Sequence, residues 1–280
     1  MTSMTSILAR LGKSFRYGAE MLVRICALAE RRCALCRNPF FPEQGENVRS
    51  RLFCPSCRPL MMRREAGFCP HCGEPSAVPD APLVPCGECL RKLPPWNDFL
   101  FYGIYEGALR ELILKAKFGG SISALDVLGH LLAERCADHY SSAMLPQVVI
   151  PVPLHTSRLR ERGLDQCLEL ARPVAKALGI PLYADVLRKV LATRPQEGLS
   201  RERRCELHQP FAASPEVNGL RILLLDDVCT TGSTLKRAAE CLLEAGAFSV
   251  DVAVLARASR HSGSMDSKSG TGKGGSLSLP

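Results

Sequence analysis

The chain contains no apolar run near the roughly 18–20 residues that a membrane-spanning helix requires, so no span is expected. It also lacks GxxxxGK[ST] and GxGxxG, which removes a Walker phosphate loop and a dinucleotide fingerprint. Residues 1–32 have no clean apolar h-region and no small-residue cleavage site, so a secretory signal is not expected. They read instead as an amphipathic helix, with Ile7, Leu8, Leu11, Phe15, Leu22 and Ile25 apolar and Arg10, Lys13 and Arg16 between them. A mitochondrial presequence shares this look, but Glu20 and Glu30 count against it. Residues 259–280 have almost no core formers, being mostly Ser, Gly and Lys, and are expected to be a disordered tail.

What remains is enough for one good core and a small appended module: 280 residues, 46% hydrophobic and 23% charged. The net charge of +8 suits phosphate-bearing partners but does not choose between nucleotide, nucleic acid and mere solubility. Residues 33–95 are rich in Cys, Pro and Arg and poor in periodic runs. A module of that size buries too little to hold itself together and needs a staple. From 96 to 258 the pattern changes. Strand-like runs at Gln147–Val152, Arg221–Leu225 and Ser249–Leu255 alternate with helix-like stretches at Leu125–His139, Gln166–Leu178 and Ser233–Ala245. That alternation predicts βαβ units around a parallel sheet, an α/β domain.

Eight of the 14 cysteines form four CxxC pairs: Cys33/Cys36, Cys54/Cys57, Cys69/Cys72 and Cys86/Cys89. Each knuckle sets two sulfurs along one edge of a thiolate tetrahedron, and a second knuckle completes a closed, structural zinc site. The gaps of 17 and 13 residues inside the first and second halves fit zinc-ribbon loops. Sequential pairing gives two zinc ions, and interleaved pairing stays open. A redox dithiol or an iron–sulfur cluster is the weaker reading. With no signal expected, thiolates in a reducing cytoplasm fit better than disulfides. Arg31, Arg32, Arg37, Arg49, Arg51, Arg58, Arg63 and Arg64 give the module a basic face, for nucleic acid or for a protein partner.

The densest chemistry lies at 221–246. Ile222–Leu225 reads as a strand buried on both faces. Asp226 and Asp227 stand at its carboxyl end, where open α/β sheets bind ligands. Adjacent carboxylates there can accept hydrogen bonds from the two vicinal hydroxyls of a ribose. Thr230, Thr231, Gly232, Ser233 and Thr234 then lead into a helix that ends near Gly246. A phosphate at that helix start meets unpaired N–H groups and the positive end of the dipole.

This stretch resembles the phosphoribosyl-pyrophosphate signature of type I phosphoribosyltransferases. The resemblance implies Asp226 and Asp227 on the ribose and Thr230, Thr231, Gly232, Ser233 and Thr234 on the 5-phosphate. Further blocks follow the same order as in a narrower family: Val149-Ile150-Pro151-Val152-Pro153-Leu154-His155, Arg158-Leu159-Arg160-Glu161-Arg162-Gly163-Leu164-Asp165-Gln166, and Arg194-Pro195-Gln196-Glu197-Gly198-Leu199-Ser200-Arg201. With the four CxxC pairs, residues 33–257 resemble the ComF family, whose founding members serve DNA uptake in competent bacteria. The departures are Leu164-Asp165 for the family's Phe-Asn, and Glu-Leu-His-Gln-Pro-Phe at 206–211 for its Asn-Leu-x-Gly-Ala-Phe.

The resemblance implies a phosphoribosyltransferase type I fold behind a small N-terminal double zinc ribbon, divided as helix 1–32, ribbon 33–95, transferase-like domain 96–258 and tail 259–280. Pro153, Leu154, His155, Arg158, Arg160 and Arg162 are candidates for pyrophosphate contacts, since a rigid Pro-rich turn presents N–H groups and guanidiniums bind such oxygens bidentately. An ordinary basic turn is the alternative. Residues 193–204 are expected to close as a lid, or to be a plain linker. Lys117, in a family Lys-Phe-x-Gly region, is a candidate ligand residue. His155 is the one candidate general base. The implied ligands are phosphoribosyl pyrophosphate with Mg2+, single-stranded DNA and DNA-uptake proteins. Two roles stay open: a ligand-binding accessory to DNA uptake, and an active transferase with an unknown nucleobase or amine acceptor.

Overall fold

In the cysteine-rich segment regular structure is sparse because its residues are held by knuckles. β1 (Arg31–Arg32) pairs antiparallel with β2 (Pro39–Phe40). Then come α1 (Val48–Leu52), a 3-10 turn at Arg58–Met61 and α2 (Gly87–Arg91). The computed structural model describes residues 30–42, 47–119, 121–140, 144–154, 164–190 and 210–260. Most of the expected N-terminal helix, the expected lid at 193–204 and all but the start of the expected tail lie outside these residues.

The α/β part begins with β3 (Phe99–Ile104), α3 (Gly107–Phe118) and α4 (Ile122–His139). β4 (Val148–Pro151) and α5 (Gln166–Leu178) follow. A small antiparallel pair, β5 (Leu187–Lys189) with β6 (Phe211–Ala213), flanks the next undescribed stretch. β7 (Arg221–Cys229), α6 (Ser233–Glu244) and β8 (Ser249–Arg257) close the fold. The sheet order is β3-β8-β7-β4, and every pairing is parallel. The strands and helices expected between 96 and 258 are all present, whereas Arg31–Arg32, expected to end the N-terminal helix, form β1 by pairing with β2. β7 and β8 each extend beyond their expected ends, to Cys229 and Arg257.

The apolar runs read as central strands because helices cover both faces. Leu223 and Leu225 point to one side, into Leu112, Leu128, Leu131 and Val174 of α3, α4 and α5. Ile222 and Leu224 point to the other, into Leu235, Ala238 and Leu242 of α6. Each such fully buried aliphatic side chain contributes about 1.5–3 kcal/mol. Helix starts follow local chemistry: Ser121 caps α4 by accepting from Ala124 N, and Asp165 caps α5 by accepting from Leu168 N. Asp165, a departure from the resembled pattern, is thus an N-cap in this chain.

The cysteine module shares this core. Phe53, Met61, Cys33 and Cys54 pack with Tyr102, Leu112 and Leu128 on the α4 side of the sheet. Tyr102 Oη donates to the Met61 carbonyl at 2.5 Å. On the opposite side Phe68 stacks edge-on against Phe101, with ring centroids 4.8 Å apart. The module thus straddles the β3 edge.

α4 and α5 cross closely at Gly129, where an added Cβ would stand 2.8 Å from Pro173 Cγ. α5 carries Gln166 and Cys167 to the carboxyl end of β7. Gly129→Val is expected to destabilise the protein by about 1–3 kcal/mol, as overpacking does, and to displace Cys167 from its partner Asp226; thermal melting and backbone amide NMR shifts at 165–168 check this.

Candidate functional site

β7 ends in two half-buried acids. Asp226 Oδ1 accepts the Asp227 backbone N–H at 2.8 Å and the Cys167 thiol at 3.3 Å. Burial, then the charge of Asp227, pushes the Asp226 carboxyl up to about 7, against the opposing Asp227 N–H, Cys167 thiol and Lys117 charge. Cys167 is itself pushed well above the usual thiol range by burial and by both acids, so it stays a donor. Asp227 accepts from Val228 N at 2.5 Å and pairs with Lys117 Nζ at 2.6 Å. Lys117 is in the last turn of α3, and its carbonyl accepts from Gln166 Nε2 at 3.3 Å. Elements far apart in the chain thus converge on one acid pair.

Three residues beyond β7 the backbone turns at Gly232, whose φ of 79° lies in the left-handed region that favours glycine. Gly232 is the N-cap of α6 and brings no side chain to cap it. Thr231 Oγ1 accepts from Ser233 N at 3.3 Å and donates to Ser233 Oγ at 3.0 Å. Thr230, Thr231, Ser233 and Thr234 are exposed. An anion there would meet open first-turn N–H groups, hydroxyls and the helix dipole together. The loop borders a cleft of about 310 Å³ lined also by Lys92, Lys236 and Arg260.

The CxxC pairs gather sequentially. Cys33, Cys36, Cys54 and Cys57 form one cluster, and Cys69, Cys72, Cys86 and Cys89 the other, all sulfurs within 4.8 Å of one another in each. Cys36 and Cys54 sulfurs are 3.8 Å apart and those of Cys72 and Cys86 3.6 Å. The edge of a tetrahedron with metal–sulfur bonds of about 2.3 Å is about 3.8 Å, so the donor sets fit a four-thiolate ion. The thiols of one set are not alike: against its burial, Cys33 is brought down to about 6 by N–H groups of Cys36, Cys54 and Leu35, whereas burial pushes Cys57 up to about 12. Interleaved pairing is excluded.

The second cluster is bolted to the loop. Arg257, only 1% exposed, ends β8. Its Nε donates to the Cys72 carbonyl at 3.0 Å and its Nη1 to the Cys229 carbonyl at 3.1 Å. Nη1 also reaches the Thr230 and Ala258 carbonyls, and Nη2 pairs with Glu74. Glu74 Oε1 accepts from Arg260 N at 3.0 Å.

Of the basic face, Arg31, Arg32, Arg37 and Arg51 line a second cleft of about 330 Å³ with Lys115, with no acid lining it among the described residues. Arg63 is engaged elsewhere, by Glu65 and Asp138, and Arg64 Nη2 by the Gly67 carbonyl. Pro153 and Leu154 follow β4 directly, beside the acid pair's strand: Val152 N donates to the Leu225 carbonyl at 2.8 Å. His155, Arg158, Arg160 and Arg162 lie outside the described residues. Cys229 is buried and pushed up to about 11 by that burial, so it offers little thiolate for oxidation. Cys136, Cys167 and Cys241 are buried as expected of small core residues; Cys26 and Cys205 lie outside the described residues. The sequence reading missed Arg257, Glu74 and the donor role of Cys167, and no local motif marks them.

The phosphoribosyl transferase domain family matches residues 164–271. With the parallel sheet and the loop, this places the protein in the phosphoribosyltransferase type I fold class, preceded by two four-cysteine clusters. The chain is 34% identical over 228 residues to the DNA utilization protein YhgH of Salmonella typhimurium, covering 80% of this chain and 96% of that one. It is 32% identical to competence protein F of Haemophilus influenzae, over 81% and 97% of the two chains. With competence protein ComFC of Bacillus subtilis the identity is 28%, over 69% and 78%. The chain belongs to the ComF family. Among the described residues no helix is long and apolar enough to cross a membrane.

A carboxyl whose folded value is raised holds its proton more tightly in the native state. Its stabilising contribution is full in acid and is lost as pH rises through about 7. Asp226→Asn keeps the accepting oxygen and deletes the buried charge. It is expected to melt like the wild type in acid and to be more stable above pH about 7, by on the order of 1–3 kcal/mol. Melting temperatures of both proteins across that range check it.

Proposed function

We propose that this protein binds 5-phosphoribosyl-1-pyrophosphate, or a close phosphoribosyl relative, together with Mg2+, and handles single-stranded DNA as an accessory to DNA uptake and use. The observation that carries the reading is the acid pair Asp226–Asp227 set one turn before the uncapped start of α6. The two carboxylates take the ribose hydroxyls. Thr230, Thr231, Gly232, Ser233 and Thr234 take the 5-phosphate. Pro153 and Leu154, with His155, Arg158, Arg160 and Arg162, take the pyrophosphate end. Mg2+ neutralises the pyrophosphate charge when the sugar is bound. Lys117 holds Asp227 in place until a ligand replaces it.

In the same reading each four-cysteine cluster holds a structural zinc ion, since the sets are closed and leave no open position. The described cysteines are all free thiols, which suits a reducing cytoplasm. The cation-lined cleft of Arg31, Arg32, Arg37, Arg51 and Lys115 suits a phosphodiester backbone. The relatives named for competence and DNA utilization point the same way. One observation favours turnover as well: the match is to a transferase domain. Pyrophosphate release with a panel of bases and amines tests that second reading.

Titration calorimetry with the Mg2+–pyrophosphate sugar is expected to show saturable binding that is lost in the Asp226→Asn, Asp227→Asn double variant; binding unchanged in that variant would overturn the loop assignment. Single-stranded DNA is expected to bind with an affinity that falls steeply with salt. Arg37→Ala and Lys115→Ala should each flatten the log–log slope by about 0.7 per phosphate contact removed, and fluorescence anisotropy across a salt series reads it.

A further inference from the structure

The two cysteine clusters are not equivalent neighbours of the phosphate loop. The first packs on the α4 side of the sheet through Phe53, Met61 and Tyr102. The second forms its own small cluster and is joined to the loop through the Arg257 side chain. Arg257 donates at once to the carbonyl of Cys72, a sulfur ligand residue of the second cluster, and to the carbonyls of Cys229 and Thr230, the two residues that lead into the loop. Glu74, two residues past Cys72, is 8% exposed and holds the far side of the same guanidinium. The knuckle leaves no slack: Gly73 has φ of 68°, and a Cβ there would stand 2.5 Å from Phe99 Cε1.

We propose that Arg257 is a positioning residue through which metal occupancy of the Cys69/Cys72/Cys86/Cys89 cluster sets the geometry, and so the ligand affinity, of the Thr230–Thr234 loop, while the Cys33/Cys36/Cys54/Cys57 cluster is uncoupled from it. The proposal rests on the phosphate-binding reading above. Its physical basis is that a guanidinium offers five donors in a fixed fork, so the carbonyl of Cys72 cannot shift without dragging those of Cys229 and Thr230. Emptying the second cluster frees the Cys69–Cys72 knuckle, and with it one wall of the fork. Coupling is reciprocal, so a bound phosphate ligand must retain the metal of the second cluster more tightly.

The test uses the full chain and three variants. Cys86→Ser opens the second cluster at a ligand residue of its other knuckle, away from the Cys72–Glu74 turn. Cys36→Ser costs the first cluster its exposed ligand. Glu74→Gln loosens the fork and leaves all eight cysteine ligands in the chain. Zinc per chain is measured by elemental analysis, and the dissociation constant of the Mg2+–pyrophosphate sugar by calorimetry. Deuterium exchange of the peptide spanning Cys229–Thr234 is followed without ligand.

Expected results are one zinc lost in each cysteine variant, but weaker ligand binding, within the ~5–150-fold range of measured couplings, only in Cys86→Ser. The loop peptide should exchange faster in Cys86→Ser and not in Cys36→Ser. Glu74→Gln should keep its zinc yet bind ligand more weakly. Equal effects of the two cysteine variants on affinity and exchange, or a Glu74→Gln protein that binds like the wild type, would overturn the coupling. A wild type that binds no sugar ligand would instead sink the phosphate-binding reading, and the exchange comparison would still decide whether the second cluster holds the loop.

Discussion

The structure depends on one buried cation. An arginine that is 1% exposed is costly unless every donor finds an oxygen. Arg257 meets that demand with Cys72, Glu74, Cys229, Thr230 and Ala258, residues drawn from the cysteine module, from the end of β7 and from its own strand. Removing either partner of a buried pair strands the other charge, at about 3–5 kcal/mol. The module is therefore not a detachable tag. Its Cys69–Cys72 knuckle is part of the floor of the Thr230–Thr234 loop, and the carbonyls of Cys229 and Thr230 are part of the module's seat.

A second cost sits at the same end of the sheet. Two carboxylates stand side by side there; burial and the charge of Asp227 oppose ionisation of Asp226, and the Cys167 thiol and Lys117 offset only part of this. A chain selected for stability alone would place one acid there, or none. The tension is tolerable because β7 is buried on both faces over Ile222–Leu225 and cannot retreat. Rigid apolar strands thus hold polar groups in an arrangement they would not adopt freely.

Much of this was legible in the amino-acid order. β4, β7 and β8 read as strands because each is an apolar run four residues or longer bounded by turn formers. α5 read to the residue because Asp165 caps it and Gly179, with φ of 67°, ends it. The loop was legible because its chemistry is local: acids, hydroxyls and glycine follow one another. The pairing of the cysteines was not, since spacing allowed both sequential and interleaved sets, and only the positions of the sulfurs decide between them. Nor was the clamp, whose ends, Glu74 and Arg257, stand 183 residues apart. Eight arginines near the cysteines looked like one basic face, yet Arg63 is spent on Glu65 and Asp138 while Lys115, from α3, joins the cleft instead. Periodicity reports which face a residue takes; it does not report which distant charge will meet it.

The module's straddling position has a consequence for how the two cation-lined clefts relate. The first cluster contributes Arg31, Arg32 and Arg37 to a cleft against α3 and α4, and the second contributes Lys92 to a cleft against α6. These helices lie on opposite faces of the sheet, with Lys115 and Lys117 of α3 separating their tasks: one in the arginine cleft, the other on Asp227. The step from Lys115 to Lys117 is two residues, about 200° around a helix, so the two side chains leave α3 on different sides. A single turn of α3 therefore stands between the acid pair and the arginine cleft. The fixed hydrogen bond from Gln166 to the Lys117 carbonyl ties that turn to α5. Both places therefore rest on the same short piece of backbone, and any shift of the Lys117–Asp227 pair is a shift of the turn that also presents Lys115.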